Sequence, residues 1–149
     1  MAVRNGGVPL DEFLTYRLHQ VNKITDKAST DAYAGELGLG VGEARCLAAI
    51  GDFAPLSVNQ LAARANLDKA HASRAAQLLV ERGWVRKEAS DADARGVVLT
   101  LTAEGRRWWQ RVMRLIARRN EEIFGCLSRA EQQALAGLLD RVVRHARSS

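Results

Sequence analysis

The stretch Ser57 to Thr102, SVNQLAARANLDKAHASRAAQLLVERGWVRKEASDADARGVVLTLT, decides how the chain is read. Ser57 with Gln60 three residues on is a capping box: the hydroxyl accepts an orphan N–H and the amide reaches back to the cap. Val58, Leu61, Ala62 and Ala65 follow at i, i+3, i+4 and i+7, the spacing of one buried helical face. Asn66 and Leu67 make a turn. Asp68 is placed to cap a second helix, where a carboxylate also suits the positive end of the dipole. That helix buries Ala72, Ala75, Ala76 and Leu79 at the same spacing, and residues this small let two helices approach closely. Its other face shows Lys69, Ala70, His71, Ser73, Arg74 and Gln77, with cations and hydrogen bonders but no acid. Gly83 stops the helix as a left-handed residue would. Trp84 to Lys87 and Val97 to Leu101 read as two strands around a loop from Ser90 to Gly96. The sum is a helix-turn-helix followed by a β-wing, which has a defined docking mode on DNA.

Outward from this stretch the chain is helical. Residues 1–8 contain Asn5-Gly6-Gly7 and are expected to fray. Pro9 suits a first-turn position, and Leu10 to about Ala34 reads as a long helix with Leu10, Phe13, Leu14, Leu18, Val21 and Ile24 as its apolar stripe. Gly35, Gly38 and Gly40 punctuate a link. Gly42 to Ile50 reads as a short helix ended by Gly51, with Ala44, Leu47, Ala48 and Cys46 turned inward. After the wing, Thr102 caps a helix running to about Leu127, with Glu104 in its first turn. Trp108, Val112, Leu115, Ile116, Ile123 and Phe124 are its apolar positions, widened by Trp109 and Met113. Arg107, Arg111, Arg114 and Arg118 form a basic face, read as a solvated one, with contact to flanking phosphate as the alternative. Ser128 with Glu131 is a second capping box, opening a last helix to about Ala146 that buries Leu135, Leu138, Leu139, Val142 and Val143. Helices left over at both ends of the helix-turn-helix predict a dimer interface, and a two-fold dimer would present two recognition helices to successive major grooves.

Composition bounds the rest. The 149 residues make one domain's worth of chain, with 47% hydrophobic and 26% charged residues. A net charge of +5 suits an anionic partner such as nucleic acid. Cys46 and Cys126 stand far apart without CxxC spacing, which argues against a disulfide scaffold and fits a reducing compartment. No apolar run reaches the ~18 residues of a membrane span, and the N-terminus lacks the apolar core of a secretory signal. A cytoplasmic protein is expected. His19, His71 and His145 are scattered; no metal-ligand spacing, nucleophile motif or phosphate loop occurs, so neither an enzyme nor a metal or cofactor site is expected.

LAARANLDKAHASRAAQLLVERGWVRKEASDADARGVVLTLTAEG resembles the MarR family of winged-helix transcriptional regulators. The helix exit LLVERGWV carries the resemblance, as does the wing, where Asp93, Arg95, Gly96, Leu101, Thr102 and Gly105 occupy the family's D-x-R-G/A-x-x-x-x-L-T-x-x-G positions. LGLGVGEARCLAAIG resembles the family's second helix and LSRAEQQALAGLLDRV its last, so the likeness covers nearly the whole chain. One departure is Ala75 and Ala76, where the family often has a bulkier aliphatic.

The resemblance implies a mostly α (α+β) winged helix-turn-helix at about 41–102, within a single domain over 9–149. The helices at about 9–35 and 103–149 would build a homodimer on a pseudo-palindromic operator in double-stranded DNA. Lys69, His71, Ser73, Arg74 and Gln77 are then the groove-facing set. Arg95 takes the position of the family's minor-groove arginine, and Asp93 that of a wing support. The expected function is that of a transcriptional regulator, a repressor relieved by a small molecule. Tyr16, Arg17, His19, Arg45 and Trp108 are conceivable lining for an effector pocket, and an arginine with aromatics suits an aromatic acid. Two alternatives stay open: a thiol-redox regulator of the same fold, for which Cys46 and Cys126 are the candidates, and a winged-helix adaptor that binds protein rather than DNA.

Overall fold

The computed structural model of the chain describes residues 7–90 and 96–149. The helix-turn-helix forms where its caps and spacing predict. Helix α3 (Val58–Ala65) starts on the full Ser57–Gln60 capping box. It ends at Asn66, which takes a left-handed φ of 57° that asparagine tolerates better than most residues. Helix α4 (Lys69–Glu81) begins at Asp68, whose carboxylate accepts the His71 N–H at 2.7 Å. It buries Ala72, Ala75, Ala76 and Leu79, so the two alanines that depart from the family pattern form a thin seam. Gly83 leaves the helix at φ 79°. The wing strands are β1 (Val85–Ala89) and β2 (Val97–Leu101), antiparallel with Lys87 opposite Leu99. A short bridge adds a third partner: Leu56, in the loop before α3, exchanges backbone hydrogen bonds with Leu99.

The remaining helices are α1 (Leu14–Leu37), α2 (Val41–Phe53), α5 (Ala103–Phe124) and α6 (Arg129–Ser148). The chain divides after Leu115 into two compact units. The core of the first is Leu39, Leu47, Ile50, Leu61, Leu79, Val85, Leu99 and Val112, all almost fully buried. Removing such a side chain from water stabilises by about 1.5–3 kcal/mol. In the second unit α6 starts on the Ser128–Glu131 capping box, and Gln132 donates to the carbonyls of Phe124 and Leu127.

The structure corrects several sequence expectations. The first helix is preceded by a separate 3-10 turn at Leu10–Glu12, because Phe13 is extended; α1 starts at Leu14 and runs past Gly35 to Leu37. Of the three link glycines, Gly38 is the left-handed stop at φ 64°. Gly51 does not end α2 but lies within it, as a seat for Trp109. A Cβ at Gly51 would lie 2.1 Å from the indole, and the indole N–H donates to the Ala48 carbonyl at 3.3 Å. Ala48 is half-buried rather than inward. Helix α6 buries no residue within the chain: Leu138, Leu139, Val142 and Val143 are exposed, as are Leu10, Phe13, Leu14, Leu18, Val21 and Ile24 at the N-terminal end.

Candidate nucleic-acid interface

Helix α4 is held from beneath and open above. Its alanine seam packs on α2 and α3, and Lys69, His71, Ser73, Arg74 and Gln77 are all exposed. At helical spacing Arg74 and Gln77 lie opposite the buried edge, with Ser73 beside them. Glu81 falls on the same line one turn on, an acid that the reading of this face omitted.

The exposed side chains differ in their freedom. His71 leans on the first turn of α2: a Cβ added at Gly42 would lie 3.0 Å from its Nε2. Gln77 is held at both ends of its amide, donating to Glu81 Oε1 at 3.4 Å and accepting from Lys87 Nζ at 2.9 Å. Lys87 stands on β1, so this contact ties the wing to α4 and brings a further cation to the face. No local pattern in the sequence showed that Lys87 meets Gln77. Asp93 and Arg95 lie outside the described residues.

The exit of α4 is locked by an aromatic column. Trp84, which follows Gly83, stacks on Trp108 of α5. Arg82 lies over Trp84 at 5.0 Å and Arg111 over Trp108 at 4.3 Å. Both guanidiniums also reach the end of α1: Arg82 donates to the Gly38 carbonyl at 3.3 Å and Arg111 to that of Glu36 at 3.4 Å. Arg82 further pairs with Glu43 of α2 at 3.6 Å. Thr102 closes the corner, its hydroxyl donating to the Gly83 carbonyl and accepting the Gly105 N–H.

Trp108 is committed to that column. Tyr16, Arg17 and His19 are exposed on α1, and Arg45 is exposed on α2. A groove of about 260 Å3 is lined by Phe53, Pro55, Leu56, Gln60, Ala63 and Arg64, and one of about 250 Å3 by Asn120, Phe124, Gln132, Leu135, Ala136 and Leu139. None of the five residues expected to line an effector pocket lines either groove.

Cys46 is fully buried in α2. Burial, and next the Glu43 carboxylate, push its thiol up to about 11. A thiol kept protonated is a poor nucleophile, which weighs against redox sensing at this position. Cys126 is exposed. Among the described residues, no group of three His, Cys, Asp or Glu side chains could hold a metal ion, and no helix is long and apolar enough to cross a membrane.

A capped α4 on a buried seam, a glycine exit and an antiparallel wing form the winged helix-turn-helix, and the family model described as MarR family matches residues 37–96, from the end of α1 through β1. Over residues 37–96 the chain is similar to the MarR family. The HTH-type transcriptional regulator BilQ of Clostridium symbiosum is 26% identical over 86 residues, 58% of this chain. The match spans 60% of the length of BilQ. A MarR-family transcriptional regulator from Silicibacter pomeroyi is similar in structure at a TM-score of 0.84 and 26% identity, over 96% of this chain and 97% of that one. BpsR of Bordetella bronchiseptica, whose DNA binding is regulated by 6-hydroxynicotinic acid, shares the MarR fold at a TM-score of 0.80 and 22% identity, over 93% and 98% of the two chains.

Proposed function

We propose that the chain is a sequence-specific DNA-binding transcriptional regulator, a repressor that works in the cytoplasm as a homodimer on a pseudo-palindromic operator. The observation that carries this reading is the face of α4. Lys69, His71, Ser73 and Arg74 stand exposed on a helix capped and seated as a recognition helix is in a MarR-family fold. In a major groove such a helix reads base edges with arginine and serine, while Arg95 on the wing enters the neighbouring minor groove and Asp93 supports the wing turn. The exposed apolar residues of α1 and α6 favour a second copy as their cover, since single-chain proteins rarely leave such stripes to water. The single domain over 9–149 would then use its N- and C-terminal helices for dimerisation.

Relief of repression by a small aromatic acid completes the reading. BpsR, of the same fold, supports that ligand class, and Tyr16, Arg17, His19, Arg45 and Trp108 are the side chains proposed to meet it. A ligand relieves repression only if it prefers the arrangement that does not bind DNA, and each tenfold loss of operator affinity needs about 1.4 kcal/mol of that preference.

Sedimentation and duplex titration test the proposal together. A dimer at micromolar concentration is expected, binding a duplex recovered from a randomised library at least ~1000-fold more tightly than an unrelated duplex. A folded monomer, or equal affinity for both duplexes, refutes it. In the second case the adaptor reading is the better one.

A further inference from the structure

Gln77 lies at the centre of the exposed face of α4, where a base-reading glutamine would stand, yet its amide is engaged within the chain. Its oxygen takes a hydrogen bond from Lys87 Nζ at 2.9 Å, and its nitrogen donates to Glu81 Oε1 at 3.4 Å. A glutamine reads adenine through that same pair of atoms, one donor and one acceptor used together. The amide keeps one N–H and one oxygen lone pair, but these two contacts fix its plane toward Lys87 and Glu81. Lys87 is in the opposite position. Its ammonium has three donors, of which Gln77 takes one, and its stem rises from a strand paired on its own register to Leu99. The glutamine therefore holds a flexible cation at one place on the groove-facing side, between helix and wing.

We propose that Gln77 is a positioning residue that aims Lys87 at a DNA phosphate between the recognition helix and the wing, and that it reads no base. The inference rests on the regulator reading above and narrows its base-reading set to Lys69, His71, Ser73 and Arg74. A point-charge ammonium suits phosphate, and such a contact adds affinity without sequence information. Gln77 acts through Lys87, so the two side chains contribute one effect between them.

The test uses the full chain and the variants Gln77→Ala, Lys87→Ala and the double variant, all at exposed positions and each checked for an unchanged melting temperature. Each protein selects from a randomised duplex library, and affinities for the selected duplex and an unrelated one are measured at several salt concentrations. Gln77→Ala is expected to select the wild-type motif and to bind both duplexes roughly fivefold more weakly, the worth of about one hydrogen bond. Lys87→Ala is expected to reduce the slope of log affinity against log salt by about 0.9 per half-site. Adding Gln77→Ala to Lys87→Ala should then change nothing. Relaxation of one base position in the Gln77→Ala motif overturns the inference, as does an additive double variant. A wild-type chain that selects no motif removes the regulator reading itself, and this inference with it.

Discussion

The indole rings of Trp84 and Trp108 stack with centroids 4.4 Å apart and planes 21° from parallel. Spacing this close leaves no room for a guanidinium between the rings, so Arg82 and Arg111 occupy the two outer faces. The order is arginine, indole, indole, arginine, linking the end of α4 to α5, with each arginine also bound to the end of α1. Trp84→Ala should destabilise by about 3–5 kcal/mol, as large-to-small changes of buried tryptophan do. Arg111→Ala should cost about 0.5–1 kcal/mol, because its cation–π contact is exposed. Urea denaturation at one pH measures both, and equal losses would mean that the column is not organised around the indoles.

Two glycines in helices predict opposite outcomes. A Cβ at Gly105 would lie 1.8 Å from the Trp84 carbonyl oxygen, a backbone atom that cannot swing aside. Gly105→Ala should therefore disrupt the corner between wing and α5 and lower the melting temperature sharply. Gly35 meets nothing within 4 Å inside α1. Gly35→Ala should stabilise by roughly 0.5–1 kcal/mol, the helix-propensity difference between the two residues. Thermal melts of the two variants check both signs.

Cys46 predicts a dependence on alkaline pH. Its folded thiol is raised from 9.0 to about 11, so between those values the unfolded chain loses a proton that the folded chain keeps. Stability conferred by the protonated thiol is then complete below pH 9 and falls as the pH rises toward 11, by about 1.4 kcal/mol per unit of the difference. Comparing wild type with Cys46→Ala at pH 8 and pH 10 isolates this effect from the lysines and tyrosines. The variant should show the flatter curve. Thiol labelling of the folded protein should also reach Cys126 well before Cys46.

Arg74 and Arg95 should fail differently. A bidentate arginine–guanine pair discriminates by about 1–3 kcal/mol, so Arg74→Ala should weaken binding to the selected duplex more than to an unrelated one. Arg95→Ala should weaken both, with a reduced preference for narrow A·T flanks. Titrations of folded, dimeric variants on both duplexes measure the difference. Parallel losses for Arg74→Ala would place it on phosphate instead, with a salt slope lower by about one.

The helix-turn-helix was legible because three local signals coincided: the Ser57 and Asp68 caps, the spacing of the buried alanines and the Gly83 stop. The apolar stripes of α1 and α6 were legible as stripes, and their place outside the helix-turn-helix pointed to a partner, but periodicity shows which face is apolar and not what covers it. Gly51 was misread for the same reason. Its spacing fits a helix stop, and only the arrival of Trp109 from α5 gives the missing side chain its purpose. The hold of Lys87 on Gln77 joins two elements through side chains alone, which neither period registers. The five residues expected to line an effector pocket were joined by residue type, and their positions on α1, α2 and α5 carry no such local signal.

The bridge between Leu56 and Leu99 bears on how copies of this protein meet. A free hairpin offers two ladder edges to any passing strand. Here the outer side of β2 is occupied at Leu99, so the open edge is that of β1, where Arg86, Lys87 and Glu88 follow one another. Two such edges paired about Lys87 would set one lysine directly against the other. Wing-to-wing polymerisation is thereby discouraged, and a concentrated solution of the protein keeps its basic hairpins apart.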